Sequence, residues 1–150
     1  MPDLATLKTT LEGKFPFLAD GKVVVQRERR IWVEVPADKH REVIEYLKGE
    51  GKFRQCCTIT GTDDKETLGV MYHLAHDDGT LLNLRQRVPR ETPVIRSVCD
   101  LYPSCANYER ELEDLLGFKV QDLPPGKRYP MPDDFPRDQH PLRKDWKPTA

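Results

Sequence analysis

Apolar residues first recur at helical spacing. Leu4, Leu7 and Leu11 keep to one face of residues 3–15, Asp3 is placed to cap that face and Pro16 to end it. The period then drops to two. Val23-Val24-Val25-Gln26 and Ile31-Trp32-Val33-Glu34-Val35 read as strands joined by a charged hairpin tip, Arg27-Glu28-Arg29-Arg30. Helical spacing returns over 38–49, with Val43, Ile44 and Leu47 as the core face and Gly49 and Gly51 as stop signals. Three further strands follow, at about 53–60, 67–75 and 80–88, with turns at Gly61-Thr62-Asp63-Asp64 and His76-Asp77-Asp78-Gly79. Pro89 and Pro93 mark a linker over the sheet edge. The order α-β-β-α-β-β-β-α predicts an α+β fold: a five-stranded antiparallel or mixed sheet with helices packed on it.

The last helix, Tyr108 to Phe118, is the most unusual stretch. Tyr108, Leu112, Leu115 and Leu116 give an apolar stripe, Gly117 a stop, and Ser104 or Asn107 a candidate cap. Its polar face is strongly acidic. Glu109 and Glu113 are like charges at i,i+4, and Asp114 sits at the unfavourable end of the helix dipole. Arg110 with Asp114 is the one favourable i,i+4 pair. These carboxylates therefore call for cations from elsewhere: Arg85, Arg87, Arg90 and Arg96 of this chain, or a second chain.

After Val120 the composition changes. Pro124, Pro125, Pro130, Pro132, Pro136, Pro141 and Pro148 all lie in 121–150, where proline removes ladder donors and fixes φ. Tyr129, Met131, Phe135, Leu142 and Trp146 are spaced along the same segment. The division is a domain over 1–120 and an extended proline-rich strap over 121–150, whose stiffness lowers the entropy lost on docking.

Charge and composition exclude some classes. Charged residues make up 33% of the chain yet leave a formal net charge of -1, which argues against nucleic-acid binding through bulk positive charge. No apolar run approaches the ~20 residues of a membrane span, and Met1-Pro2-Asp3-Leu4 does not open a secretory signal. Cys56, Cys57, Cys99 and Cys105 lack zinc-ribbon spacing and read as reduced thiols of a cytoplasmic protein. His73 and His76 fall on opposite faces of a strand, and no phosphate loop or nucleophile elbow is present. No catalytic residue, cofactor or metal is expected in this chain. Two rivals stay open: an autonomous enzyme or ligand binder using His73, Asp63 and the cysteines, and a regulatory adaptor with a proline-rich tail.

Two motifs carry a family likeness. Ser104-Cys105-Ala106-Asn107-Tyr108-Glu109-Arg110-Glu111-Leu112-Glu113-Asp114-Leu115-Leu116-Gly117-Phe118 resembles the signature of the thirty-kilodalton subunit of respiratory complex I, the NADH–quinone oxidoreductase. That signature has Ala-Asn-Trp, Glu-Arg-Glu, two residues, then Asp-Met-Phe-Gly. His140-Pro141-Leu142-Arg143-Lys144-Asp145-Trp146 is similar to the family's His-Pro-Leu-Arg-Lys-Asp and aromatic. Thr58–Asp63 and Val70–Leu74 match more weakly. Leu115-Leu116 replaces Met-Phe, and the family's Gly-His-Pro-Asp after the helix is reduced to Leu123-Pro124-Pro125-Gly126-Lys127-Arg128. The same module accompanies the large subunit of energy-converting [NiFe] hydrogenases. The resemblance implies a cofactor-free component of a redox complex, peripheral to the cytoplasmic membrane. It would pack on the neighbouring large subunit, of the complex I or the [NiFe] hydrogenase type. The residues expected to face that partner are Glu109, Arg110, Glu111, Asp114 and Gly117 on the helix, and His140, Pro141, Leu142, Arg143, Lys144, Asp145 and Trp146 on the strap.

Overall fold

A computed structural model gives the fold and describes residues 3–149. The Asp3 carboxylate accepts the N–H groups of Ala5 and Thr6 and so caps α1 (Leu4–Lys14), whose buried face is Leu4, Leu7 and Leu11. Strands β1 (Val23–Arg27) and β2 (Arg30–Glu34) make the first hairpin. Helix α2 (His40–Gly49) buries Val43, Ile44 and Leu47. Then come β3 (Gln55–Asp63), β4 (Thr67–Ala75) and β5 (Leu81–Pro89). Their turns are closed by Asp64 N–H on Thr67 O and His76 N–H on Thr80 O, both at 2.9 Å.

The five strands lie in the order β1-β2-β5-β4-β3. β2 and β5 pair in parallel, from Arg30 opposite Leu81 to Glu34 opposite Arg85, so the sheet is mixed. A parallel pair needs a long crossover. Here that connection contains α2 and the β3–β4 hairpin. Among the described residues the fold is α+β with a five-stranded mixed sheet and three α-helices, as the hydrophobic pattern predicts.

The chain divides into two compact units. One holds residues up to Thr58 together with Met71–Gln86. In it His40 of α2 stacks on Tyr72 of β4 with ring centroids 5.4 Å apart, both buried, and the Tyr72 hydroxyl accepts from Gln86 at 3.1 Å. The other holds Ile59–Val70 and the residues from Arg87 onward. It contains an element that the hydrophobic pattern does not reveal. In place of a plain linker, β6 (Val94–Arg96) pairs in parallel with β7 (Lys119–Gln121) and buries Ile95 and Val120. Three residues are too few to show a period of two.

Between β6 and β7 lie a 3-10 turn (Pro103–Cys105) and α3 (Ala106–Leu116). Neither Ser104 nor Asn107 caps α3; the 3-10 turn leads directly into it, with Cys105 in the cap position and no side-chain bond. Leu112 and Leu116 are buried, and Gly61 of β3 makes room for them. A Cβ at Gly61 would lie 2.7 Å from Leu112 Cδ2 and would overlap Leu116 outright.

Glu109 departs most from expectation. It faces the core, 0% exposed. One carboxylate oxygen accepts from Val98 N–H at 2.7 Å; the other accepts from Ser97 Oγ at 2.6 Å and Cys99 Sγ at 3.1 Å. These three donors are all neutral. Burial pushes the Glu109 carboxyl up, against those three donors, and pushes the Cys99 thiol up to about 12. A raised carboxyl favours folding while it is protonated. That stabilisation is complete below the ordinary value of 4.5 and is lost as pH rises through the raised folded value. Urea unfolding across this range should therefore show stability falling with pH, and Glu109→Gln should flatten that slope. Glu109→Ala, which strips three buried donors of their acceptor, should cost ~3 kcal/mol at the acid end of the range and less as pH rises.

Candidate functional site

The C-terminal end of α3 is where the rest of its unit converges. A helix leaves its last four carbonyls without intrahelical donors. Gly117 takes the left-handed conformation, φ 77 and ψ 27, and its N–H turns back to Glu113 O. The residues beyond 138 supply three more donors. His140 Nδ1 donates to Asp114 O at 3.1 Å, Leu142 N–H to Leu115 O at 2.9 Å and Arg143 Nε to Leu116 O at 2.6 Å. Arg143 also places a cation at the negative end of the helix dipole. The approach is close enough to require glycine: a Cβ at Gly117 would sit 2.6 Å from His140 Cδ2 and 2.9 Å from Arg143 Nη2.

Two ion-pair clusters hold the tail on either side of this cap. Asp114 pairs with Arg128 rather than with Arg110, Oδ1 to Nη2 at 3.0 Å, with the two side chains only 11% and 5% exposed. Arg128 Nη1 donates on to Phe135 O at 2.7 Å, and Met131 N–H donates to Asp114. At the end of β3, Asp63 accepts from Arg90, from Lys65 N–H at 2.8 Å and from Lys144 N–H at 2.7 Å. Arg90 reaches on to Asp145 Oδ1 at 2.7 Å. Burial pushes the Asp63 carboxyl up, but the Arg90 guanidinium and the two N–H donors outweigh it and hold the group down at about 2.

Most of the residues expected to face a partner are thus spent within the chain. Glu109 lies in the core and offers no surface, so its expected place at a join is corrected. Asp114, His140, Arg143, Asp145 and the Lys144 N–H bind this chain's own groups. Gly117 is pressed against His140 and Arg143. Trp146 Nε1 donates to Gln139 Oε1 at 3.2 Å. Leu142 turns its side chain outward, 55% exposed, and Tyr129 is 45% exposed. Glu111 and Pro141 are half-buried. Three of the four arginines offered as partners for the acidic helix go elsewhere: Arg85 to Glu34 at 2.8 Å, Arg87 to Asp64 at 3.3 Å and Arg90 to Asp63. For the enzyme rival, His73 is hydrogen-bonded to Asn83 at 2.6 Å and Asp63 is held by the Arg90 cluster. Asp63 and Arg128 are the residues of this site that sequence reasoning did not place in it. The partners that tie them into it, Asp114 for Arg128 and Lys144 for Asp63, lie 14 and 81 positions away, beyond the reach of any local pattern.

Arg90→Ala leaves Asp63, whose side chain is 2% exposed, without its guanidinium. It should destabilise the protein by ~3 kcal/mol and open the tail to trypsin at Lys144 and Lys147. Because the Asp63 value is depressed, its contribution is present above the ordinary 3.8 and is lost as pH falls toward about 2. Acid titration of unfolding in wild type should show that loss, and in Arg90→Ala the loss should shrink, because the folded value moves back toward the unchanged unfolded one.

Comparison with known proteins supplies a context for this geometry. Residues 33–150 match the family described as respiratory-chain NADH dehydrogenase, 30 kDa subunit. A subunit of the F420H2 dehydrogenase of Methanosarcina mazei is 37% identical over 147 residues, 96% of this chain and 92% of that protein. The beta subunit of the membrane-bound hydrogenase of Pyrococcus furiosus is 26% identical, covering 91% of this chain and 82% of its own length. Among solved structures, a chain of the membrane-bound sulfane sulfur reductase, an archaeal respiratory membrane complex, superposes with a TM-score of 0.83 at 29% identity, over 95% of this chain and 85% of that one. On the match across residues 33–150 and the likeness to the F420H2 dehydrogenase component, this chain belongs to the 30 kDa subunit family of respiratory-chain NADH dehydrogenase.

Proposed function

We propose that this chain is a non-catalytic structural subunit of a membrane-associated respiratory redox complex, and that it braces the large subunit of that complex on the cytoplasmic side. The observation that carries this reading is the variety of its relatives. Their names refer to F420H2, to hydrogen, to sulfane sulfur and to NADH, while the module stays the same over most of its length. A part that persists while the redox partner changes is not the part that handles that partner. Chemistry within the chain agrees: the buried carboxylates are used for hydrogen bonds and ion pairs that hold α3 and the tail. No helix among the described residues is long and apolar enough to cross a membrane, so attachment through other subunits is the reading we adopt.

The partner is of the kind found beside this module, a large subunit of the complex I or the [NiFe] hydrogenase type. Its contact is assigned to side chains that the internal bonds leave outward: Leu142 and Tyr129 above all, with Glu111 on α3 and the Lys144 side chain. The clasp on α3 makes this surface rigid before assembly, which lowers the ordering cost of docking. In a co-purification of the chain with its large subunit, Leu142→Asp should weaken recovery at least tenfold. Its unfolding free energy in urea should stay within ~0.5 kcal/mol of wild type, as for exposed substitutions in general. Undiminished recovery would count against this face, and stoichiometric metal with turnover by the purified chain would favour the enzyme rival.

A further inference from the structure

Beside the C-terminal turn of α3 lies an open cavity of about 520 Å³. Four cations stand on its wall, Arg110, Lys127, Arg128 and Arg137, against two carboxylates, Glu113 and Asp114. Arg128 and Asp114 neutralise each other at 3.0 Å. That leaves three cations facing Glu113, whose Oε2 accepts from Val120 N–H at 3.3 Å. Burial pushes the Glu113 carboxyl up, with the Val120 N–H and the Arg110 charge opposing.

Arg110 is held in place from two sides. Its Nη2 donates to Pro124 O at 2.8 Å and its Nη1 to Asn107 Oδ1 at 3.4 Å. These use two of the five donors a guanidinium carries. On the other side Gly126 lies against it. A Cβ there would fall 2.5 Å from Nη2, 2.8 Å from Cζ and 3.0 Å from Nε. Gly126 has no left-handed backbone to explain its presence, so the room it leaves is for the guanidinium. A fork fixed in position, with donors to spare and a wall of net positive charge, matches the planar acceptor pair of an oxyanion.

The geometry points to an oxyanion receptor in this cavity: Arg110, with Lys127 and Arg137 beside it, binds a carboxylate or phosphate group. The same chemistry has two sources, a free anion or the acidic side chains of another chain. The inference goes beyond the bracing role and does not need it, because the full-length chain should bind the group with no large subunit present.

The test follows the arginine Nε–Hε resonances of the full-length chain by NMR during titration with inorganic phosphate and, separately, with hexaglutamate. A saturating shift of Arg110 is expected with at least one of them. Phosphate alone would assign the site to a free anion, and hexaglutamate alone to a polypeptide partner. Arg110→Gln should weaken binding at least tenfold. Gly126→Val should do the same while keeping every charge, because its side chain pushes the guanidinium out of place. It also decides the matter should Arg110→Gln fail to fold. Shifts that never saturate, or an affinity that Gly126→Val leaves within twofold, would overturn the proposal.

Discussion

The carbonyls at the end of α3 are the constraint on which the C-terminal half of this protein depends. A helix whose last turn is covered by other chain cannot leave those oxygens to solvent, so each needs a donor. Here the donors come from a segment that has no helix or strand of its own: a histidine ring, a backbone amide and a guanidinium. The arrangement stabilises both parties. The helix gains its cap, and the segment from 122 gains fixed points that its own backbone does not provide.

Charge burial is handled by two different means in one unit. Glu109 is dissolved among neutral donors in the core, and burial dominates its acidity. Asp63 is also buried but meets a guanidinium and two amides, and the donors win. The same functional group therefore becomes weaker as an acid at one site and stronger at the other. Each accepts from three donors, so the charge of the guanidinium at Asp63 and the deeper burial of Glu109 decide the direction, as expected when desolvation and hydrogen bonding oppose each other. The two groups also titrate over different pH ranges, so their contributions to folding are separable.

Much of the fold was legible because it is written in local periods. Leu4, Leu7 and Leu11, or Val43, Ile44 and Leu47, sit where helical spacing puts a core face, and the Asp78-Gly79 turn marks its hairpin. What stayed hidden depends on distance along the chain or on length. β6 and β7 are three residues each. The parallel pairing of β2 with β5 joins residues some fifty positions apart. The candidate site was legible as two motifs but not as one object, since nothing local says that His140 and Arg143 end on Asp114 and Leu116. Glu109 stayed hidden for a different reason: its charge masks its place on the apolar stripe, although positions 109, 112 and 116 fall at i, i+3 and i+7 and so share one helix face. The buried set Glu109, Leu112 and Leu116 is that face.

The cap on α3 also sets an order of events during biosynthesis. Leu116 and Arg143 are 27 positions apart. At roughly 5–20 residues per second, translation needs about one to five seconds to make the intervening stretch. Throughout that interval the oxygens of Asp114, Leu115 and Leu116 have no donor from the chain. The nascent domain therefore reaches its mature form only once the stretch from His140 to Arg143 has left the ribosome, and a message truncated before it would yield a chain with its last helix unfinished.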